Sequence, residues 1–521
     1  MKETLKQRLL DFYQIDESAY QELIKDSTIE DFAIGHHFDH MEEAVELVKE
    51  AVKNHKRIAI YGDYDADGIM GTSVLVKMFS YINYDVSYYI PSRYLDGYGL
   101  TLKYAEEAVK NNVGLLITVD NGVSAFEGIQ YLRDHGVDVL ILDHHTVQDE
   151  LPPANYIIHP TYSHFSDIAS SGAFTAFMFA NDFLGYVDKY LATLASISLI
   201  SDMMPLLDYN RRLLKAVISH YQEGEFLAID LLKDGEEFNE NSIGMRIAPK
   251  INALGRMIET DEINKIIPYF VSEDRELILN YINWINETNE SRKNLSKLAV
   301  DTVKDIALEE EAIVIISDAK EGLLGLIATH LCNTYHIPSI VFAKEMNGET
   351  LKGSCRAPQG FNVVDAFNQL NDIILSSGGH ALAGGCSIKI SDFDIFKTRF
   401  IEIVKKATIE EYVEKNIPLG LTEVNFENYE LVKSFSPFGE SWPAPTFSIP
   451  RILSSSLTFS RDYKHILTYI GQGVKLVGFN FPKADVTQMR YIDLYGKMRT
   501  STYRGLITLE FGIKDIRESK K

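Results

Sequence analysis

The chain has 521 residues, too many for one hydrophobic core, and its 45% apolar and 24% charged residues are those of a globular protein rather than a disordered one. A net charge of −23 argues against uniform nucleic-acid binding, but the charge is uneven: residues 451–521 hold 13 Lys/Arg against 6 Asp/Glu, a local +7, which leaves −30 on the first 450. No apolar run is long enough to span a bilayer, the start MKETLKQRLLDFYQID lacks the apolar core of a signal peptide, and Cys332, Cys355 and Cys386 have no metal-type spacing. These features predict free thiols and a cytoplasmic protein without membrane contact.

Residues 1–40 read as an amphipathic helical cap. From 41 to 205 helices alternate with short apolar strands, expected at Ile58–Tyr61, Val86–Ile90, Leu115–Val119, Val139–Leu142 and Tyr156–Ile158. That alternation predicts βαβ units and a parallel sheet. Residues 206–310 carry no strand signal and end in a long polar–apolar helical connector. A second α/β unit starts at Ala312-Ile313-Val314-Ile315-Ile316 and fills 311–410. After Pro418-Leu419-Gly420, short β-rich runs with Gly turns over 418–521 suggest a small barrel of OB type.

The stretch AIYGDYDADGIMG, Ala59 to Gly71, opens like a calcium loop of the EF-hand kind, with Asp63, Asp65 and Asp67 before Gly68. Such a loop needs a bidentate Glu at its twelfth position, which here is Val74, and it follows a helix, whereas these aspartates follow a strand. The acidic turn therefore lies at the carboxyl end of a strand, where open α/β sheets bind ligands. Three carboxylates at alternate positions repel one another, so a bound cation is favoured over a solvated turn.

Three more stretches share this format. LLITVDNGVS delivers Asp120 after a strand, VLILDHHTV delivers Asp143, His144 and His145, and in ASISLISDMMPLLDYNR Asp202 ends an apolar helix. Singly each has a bland reading as a cap, turn or surface residue. Together they can converge, because parallel strands gather their carboxyl ends along one edge. Carboxylates with imidazoles suit Mn²⁺ or Mg²⁺. The donors outnumber what one ion needs, and two ions sharing one aspartate would use them in phosphoester hydrolysis.

GDYDADG, VDNG, DHH and SDMMPL resemble the four motifs of the DHH phosphoesterases, and GSCRAPQGFNVVDAF with GGHALAGG resembles the associated DHHA1 domain. APKINALGRM and the OB-like stretch with PFGESWPAP resemble, within that superfamily, the RecJ family of single-strand-specific 5′→3′ exonucleases. The resemblance runs from about residue 36 to the end. It implies a DHH parallel-sheet domain and a DHHA1 α/β domain joined by a long helix, followed by the OB-type barrel. It implies two Mn²⁺ or Mg²⁺ ions on Asp65, Asp67, Asp120, His144 and Asp202, with Asp120 as the bridge. Asp63 would be a further ligand or a partner of the ligands. His145 would face the scissile phosphate, polarising it or protonating the leaving oxygen, and Asp143 would orient the imidazoles. Arg93, Arg256, Ser354 and Arg356 match the family's phosphate-contacting positions, and His380 would meet nucleic acid near the metals.

The implied substrate is single-stranded DNA with a 5′ end, threaded through a channel too narrow for a duplex. The implied partners are a single-strand-binding protein and a RecQ-type helicase, with a monomer as the default state. In the barrel, Tyr463, Lys464, His465, Lys475, Arg499, Tyr503 and Arg504 are candidate strand contacts. Lys250, Ala319-Lys320 and Trp442 depart from the family pattern, and none of them removes a metal ligand. The rival readings are a nano-RNase or nucleotide phosphatase of the same superfamily, disfavoured by the extra β-rich domain, and a catalytically dead DNA-binding scaffold, disfavoured by the complete ligand set.

Overall fold

The computed structural model describes residues 3–32, 38–97, 99–147, 150–163, 169–303, 311–345, 348–407, 415–503 and 505–519. They form two compact units: Thr28–Met204 with Asp208–Tyr412, and Met1–Ser27 with Pro205–Leu207 and Val413–Lys521. Among the described residues no helix is long and apolar enough to cross a membrane.

The larger unit is built on β1 (Ile58–Tyr61), β2 (Ser87–Tyr89), β3 (Leu115–Val119), β4 (Asp138–Leu142) and β5 (Tyr156–Ile158). They pair in the order β2-β1-β3-β4-β5, every pair parallel. β1 and β3 are buried along their whole length, as strands covered on both faces must be. Tyr61, Leu116 and Ile141 pack one face against Ala105, Ile129 and Leu132. The chain leaves β1 toward β2 and returns on its other side at β3. The β1/β3 border is thus the point where the winding reverses, the usual ligand crevice of such sheets. Helices α1 (Ala66–Tyr81), α2 (Gly172–Leu184) and α3 (Lys189–Ser201) pack together beside it.

Helices α4 (Ala248–Met257) and α5 (Arg275–Val303) continue the same unit toward a second sheet. That sheet has β6 (Ile313–Ile316), β7 (Ser339–Lys344), β8 (Thr350–Arg356), β9 (Ile374–His380) and β10 (Ala383–Lys389) in the order β6-β7-β8-β10-β9. Only β6 and β7 are parallel. The glycine-rich run from Gly378 to Gly385 forms the hairpin of β9 and β10. Gly378 faces Gly385 and Gly379 faces Gly384 across the ladder. A Cβ on Gly384 would stand 2.9 Å from Val363 and 3.0 Å from Phe367, so close packing, not strand propensity, places glycine there.

The smaller unit holds β11 (Asn416–Pro418), β12 (Thr446–Leu453), β13 (Ile466–Gly471), β14 (Val474–Gly478), β15 (Tyr491–Tyr503) and β16 (Leu506–Glu518), in the order β11-β12-β15-β16-β14-β13. The N-terminal helices Leu5–Tyr13 and Glu17–Ile24 belong to this unit. Tyr13 stacks on Trp442 with ring centroids 4.2 Å apart, and Arg8 pairs with Glu423. Trp442, a departure from the family pattern, thus serves as the docking face for the N-terminal helix, and its Nε1–H donates to the Phe435 carbonyl at 2.9 Å.

Candidate metal centre

The carboxyl ends of the three adjacent strands β1, β3 and β4 deliver the acidic and imidazole groups to one edge. After β1 the chain turns into α1. Asp65 is its N-cap, with Oδ1 accepting from the N–H of Asp67 at 3.0 Å and of Gly68 at 3.1 Å. A Cβ on Gly68 would stand 2.5 Å from the Asp63 nitrogen, so only glycine lets the turn close. Asp67 points to α2, where the N–H groups of Gly172 and Ala173 donate to its two oxygens at 2.7 and 2.8 Å. These are orphan donors of a helix N-terminus, which favours a negative charge. Asp120 follows β3 in the left-handed region, φ 62°, and Asp202 is the C-cap of α3.

His144 Nε2 lies 3.1 Å from Asp120 Oδ1, 3.5 Å from Asp202 Oδ2 and 3.6 Å from Asp67 Oδ2. Donor atoms of Asp67, His144 and Asp202 lie within 4.8 Å of one another, as do those of Asp63, Asp65 and Asp120, and those of Asp120, His144 and His145. Asp120 and His144 each belong to two of these groups.

Such crowding is costly without a cation. Burial, then the charge of Asp65, pushes Asp63 up to about 8. Burial, then Asp67 and Asp65, pushes Asp202 up to about 9. Burial and the neighbouring aspartates also raise Asp120 and Asp67. Asp63 Oδ1 is buried with no hydrogen-bond partner. A buried carboxylate oxygen left without a donor, among carboxylates that repel one another, fits hard divalent ions.

Asp143 has a different environment. Its Oδ1 accepts from the backbone N–H of His144 at 2.7 Å and of His145 at 3.2 Å, and from His145 Nδ1 at 2.8 Å; Oδ2 accepts from Val123 N–H at 3.0 Å. Against the upward pull of burial, these bonds and the His145 charge hold Asp143 well below the usual carboxylate range. In return, although burial opposes its charge, Asp143 pushes His145 up to about 9. His144, buried and one residue away, is lowered by burial.

Guanidinium groups gather nearby. Arg256 on α4 is pushed down to about 10 by burial and by Arg93, Arg292 and Arg356. Its Nη1 donates to the Gly322 carbonyl at 3.1 Å. Arg93 lies 4.2 Å above the Tyr64 ring, and the Nε of Arg93 and of Arg292 are buried without acceptors. Arg356 Nη1 donates to Ser354 Oγ at 3.2 Å and to the Cys355 carbonyl at 2.7 Å. Gly325 faces both side chains, with a Cβ position 3.1 Å from Arg356 and 3.2 Å from Ser354. The expected phosphate contacts Arg93, Arg256, Ser354 and Arg356 are thus brought together. His380 stands exposed at the end of β9, and across β10 from Arg356, since Ala383 pairs with both.

Sequence reasoning missed several residues that build this place. Gly172 leaves room for Asp120, its Cβ position being 2.7 Å from the Asp120 Cβ. Asn252 Oδ1 accepts from Ala66 N–H at 2.9 Å and so ties α4 to the aspartate turn. Arg292 lies inside the long polar–apolar helical connector, α5. Only Ser170-Ser171 before α2 carried a local signal, that of an N-cap. In the smaller unit, Lys475 and Arg499 lie 2.9 and 3.1 Å from the buried Glu510, so both are tied to one carboxylate, which offsets one of their two charges. Tyr463 is exposed, with Lys483 5.0 Å above its ring, and His465 Nδ1 accepts from Asn480 N–H at 3.0 Å. Arg504 and the side chain of Tyr503 lie outside the described residues.

Oxygen and imidazole donors at the switch point of a doubly wound sheet, with guanidinium groups beside them, are the build of a metal-dependent phosphoesterase. Comparison with known proteins agrees. Residues 57–200 match the DHH family, N-terminal domain; 309–406 match the DHHA1 domain; 416–515 match the RecJ OB domain. The single-stranded-DNA-specific exonuclease RecJ of Bacillus subtilis is 30% identical over 84% of this chain, which spans 58% of that relative's length. Its namesake in Haemophilus influenzae is 29% identical, over 90% of this chain and 89% of the relative. The structure of RecJ from Thermus thermophilus in complex with Mn²⁺ shares the fold, with a TM-score of 0.85 at 22% identity over 99% of this chain and 76% of that one. A structure of exonuclease RecJ bound to manganese matches with a TM-score of 0.62 at 27% identity, over 71% of this chain and 96% of that one. The chain belongs to the DHH phosphoesterases and, within them, to the RecJ family.

Proposed function

We propose that the protein is a Mn²⁺- or Mg²⁺-dependent exonuclease that degrades single-stranded DNA from the 5′ end and releases 5′-mononucleotides. The observation that carries this reading is the juxtaposition at the β1/β3 switch point: two groups of ligand atoms, Asp67/His144/Asp202 and Asp63/Asp65/Asp120, linked through His144 and Asp120. The names of the RecJ relatives and the manganese bound by one of them support it.

In this reading Asp65, Asp67, Asp120, His144 and Asp202 hold two ions, with Asp120 shared and Asp63 joining through its free oxygen. When bound, the ions supply a water of lowered pKa and neutralise charge on the scissile phosphate. His145, kept cationic by Asp143, faces that phosphate and delivers a proton to the leaving oxygen. Arg93, Arg256, Ser354 and Arg356 grip the terminal phosphate, a task suited to the planar guanidinium fork. His380, at the end of β9, contacts the nucleic acid near the metals. The cytoplasm as the working compartment, a monomeric state, and a single-strand-binding protein and RecQ-type helicase as partners belong to the same proposal.

The test uses Asp120→Ala and the wild type, each with a long 5′-phosphorylated single strand, a dinucleotide and a duplex, with Mn²⁺ added. Mononucleotides from the long strand alone, lost in the variant, are expected. Degradation by Asp120→Ala overturns the assignment of the shared ligand. Cleavage confined to the dinucleotide by the wild type would favour the nano-RNase reading, and binding without turnover the scaffold.

A further inference from the structure

Two exposed methionines, one of them next to a candidate metal ligand, are unexplained by packing. Met203 and Met245 are 67% and 75% exposed, the most exposed large apolar side chains described in the larger unit. Met203 directly follows Asp202, whose carboxylate is 3.5 Å from His144. It also adopts φ 53°, the left-handed conformation that closes α3 through bonds from Met203 N–H to the Ile200 carbonyl and from Met204 N–H to the Leu199 carbonyl. Glycine or asparagine suits that place, since a Cβ there costs energy. The other non-glycine residues described with positive φ are polar, charged or aromatic. Neither burial nor backbone preference accounts for methionine here, and strain of this kind collects at functional sites.

Met245 lies in the middle of a π-helical turn, Ile243–Ile247, whose two isoleucines are buried while Met245 projects into solvent. Single π turns are rare and frequent at functional sites. This one leads into α4, which carries Asn252 and Arg256. It packs on α3 through Gly244, whose Cβ position is 3.5 Å from Ile200. Met245 therefore sits on one of the two elements that this contact joins and Met203 just past the end of the other, next to a candidate metal ligand.

We propose that Met203 and Met245 form an apolar platform on which nucleobases of the single strand rest next to the scissile linkage. The inference builds on the proposed function and adds a base contact to a site otherwise made of charged groups for phosphates. Continuity with the Asp202 edge makes the substrate strand the occupant. Thioether side chains are unbranched, polarisable and free of strong hydrogen-bonding groups. They accept the face of any base without reading its edge, as an enzyme that removes every nucleotide in turn requires.

The test compares the wild type, the double variant Met203→Ala/Met245→Ala, and Met203→Phe/Met245→Phe on a 5′-phosphorylated 20-mer with or without one abasic site at positions 1 to 4. Both side chains are exposed, so the substitutions leave the core untouched. In the alanine variant KM is expected to rise about three- to tenfold with a smaller change in kcat, and the penalty of an abasic site seen in the wild type should disappear. The phenylalanine variant should recover both. Binding of the fluorescent 20-mer under a chelator is measured in parallel by anisotropy and should weaken in the same proportion. An alanine variant with wild-type KM, wild-type binding and an undiminished abasic penalty overturns the platform. If the wild type does not degrade the strand, the proposed function fails instead, and the anisotropy comparison still decides whether the methionines hold bases.

Discussion

Replacing Asp143 by Asn tests the electrostatic division between the two histidines. The Asp143 carboxylate is fully buried and accepts four hydrogen bonds, two of them from His145. Asn keeps the shape, loses the charge, and turns one acceptor into an NH₂ group. Without the carboxylate, His145 should fall from about 9 toward the ordinary imidazole range near 6.5, a change of about 3 kcal/mol in favour of the neutral ring. At pH 8 the protonated fraction then drops from about nine-tenths to about 3%, roughly thirtyfold, while at pH 6 it changes by less than about twofold. If cationic His145 protonates the leaving oxygen, kcat with saturating Mn²⁺ should show the same pattern: close to wild type at pH 6 and about thirtyfold low at pH 8. The donor left without an acceptor should also cost about 1–3 kcal/mol of stability, visible as a lower Tm. The assay is a kcat–pH profile from pH 5.5 to 9 on a 5′-phosphorylated single strand. A variant profile parallel to that of the wild type, whatever its height, would refute the role given to the Asp143–His145 pair.

Three other outcomes follow from the same geometry. Folded Asp63 and Asp202 keep protons, up to about 8 and about 9, that an unfolded chain has already lost near pH 4. The metal-free protein should therefore lose stability as pH rises from about 4 to about 9, and Mn²⁺ should reverse the trend. Mn²⁺ binding at pH 7 should release about one to two protons, read by calorimetry in buffers of different ionisation enthalpy; no release would contradict ligation by these carboxylates. Gly68→Ala should press a methyl group against the Asp63 backbone, cost about 1–3 kcal/mol and weaken Mn²⁺ binding. A wild-type Tm and Mn²⁺ affinity would show that the turn yields.

What the chain sequence determined is local. Apolar runs bounded by turns marked Ile58–Tyr61, Leu115–Val119 and Tyr156–Ile158, and the strands begin and end at those residues. The aspartates after β1 and β3 and the Asp-His-His after β4 were legible because each directly follows a buried run, and Val74 sufficed to dismiss a calcium loop. Convergence could be expected from the parallel order alone, since strand ends share an edge. Tertiary structure decided everything that rests on partners distant in sequence. Asp67 is held by N–H groups 105 and 106 residues away, and the aspartate turn by Asn252, 186 residues from Ala66. The split between a low Asp143 and a high Asp202 has the same origin. Both are single aspartates after apolar segments, but one receives four donors and the other faces carboxylates. Likewise Lys475 and Arg499 read as candidate strand contacts, and only the fold brings Glu510 to within 2.9 and 3.1 Å of them, as only the fold pairs Gly378 with Gly385 and Gly379 with Gly384. Burial and charge pairing are sums over neighbours in space, and the order of residues along the chain carries only the nearest terms of those sums.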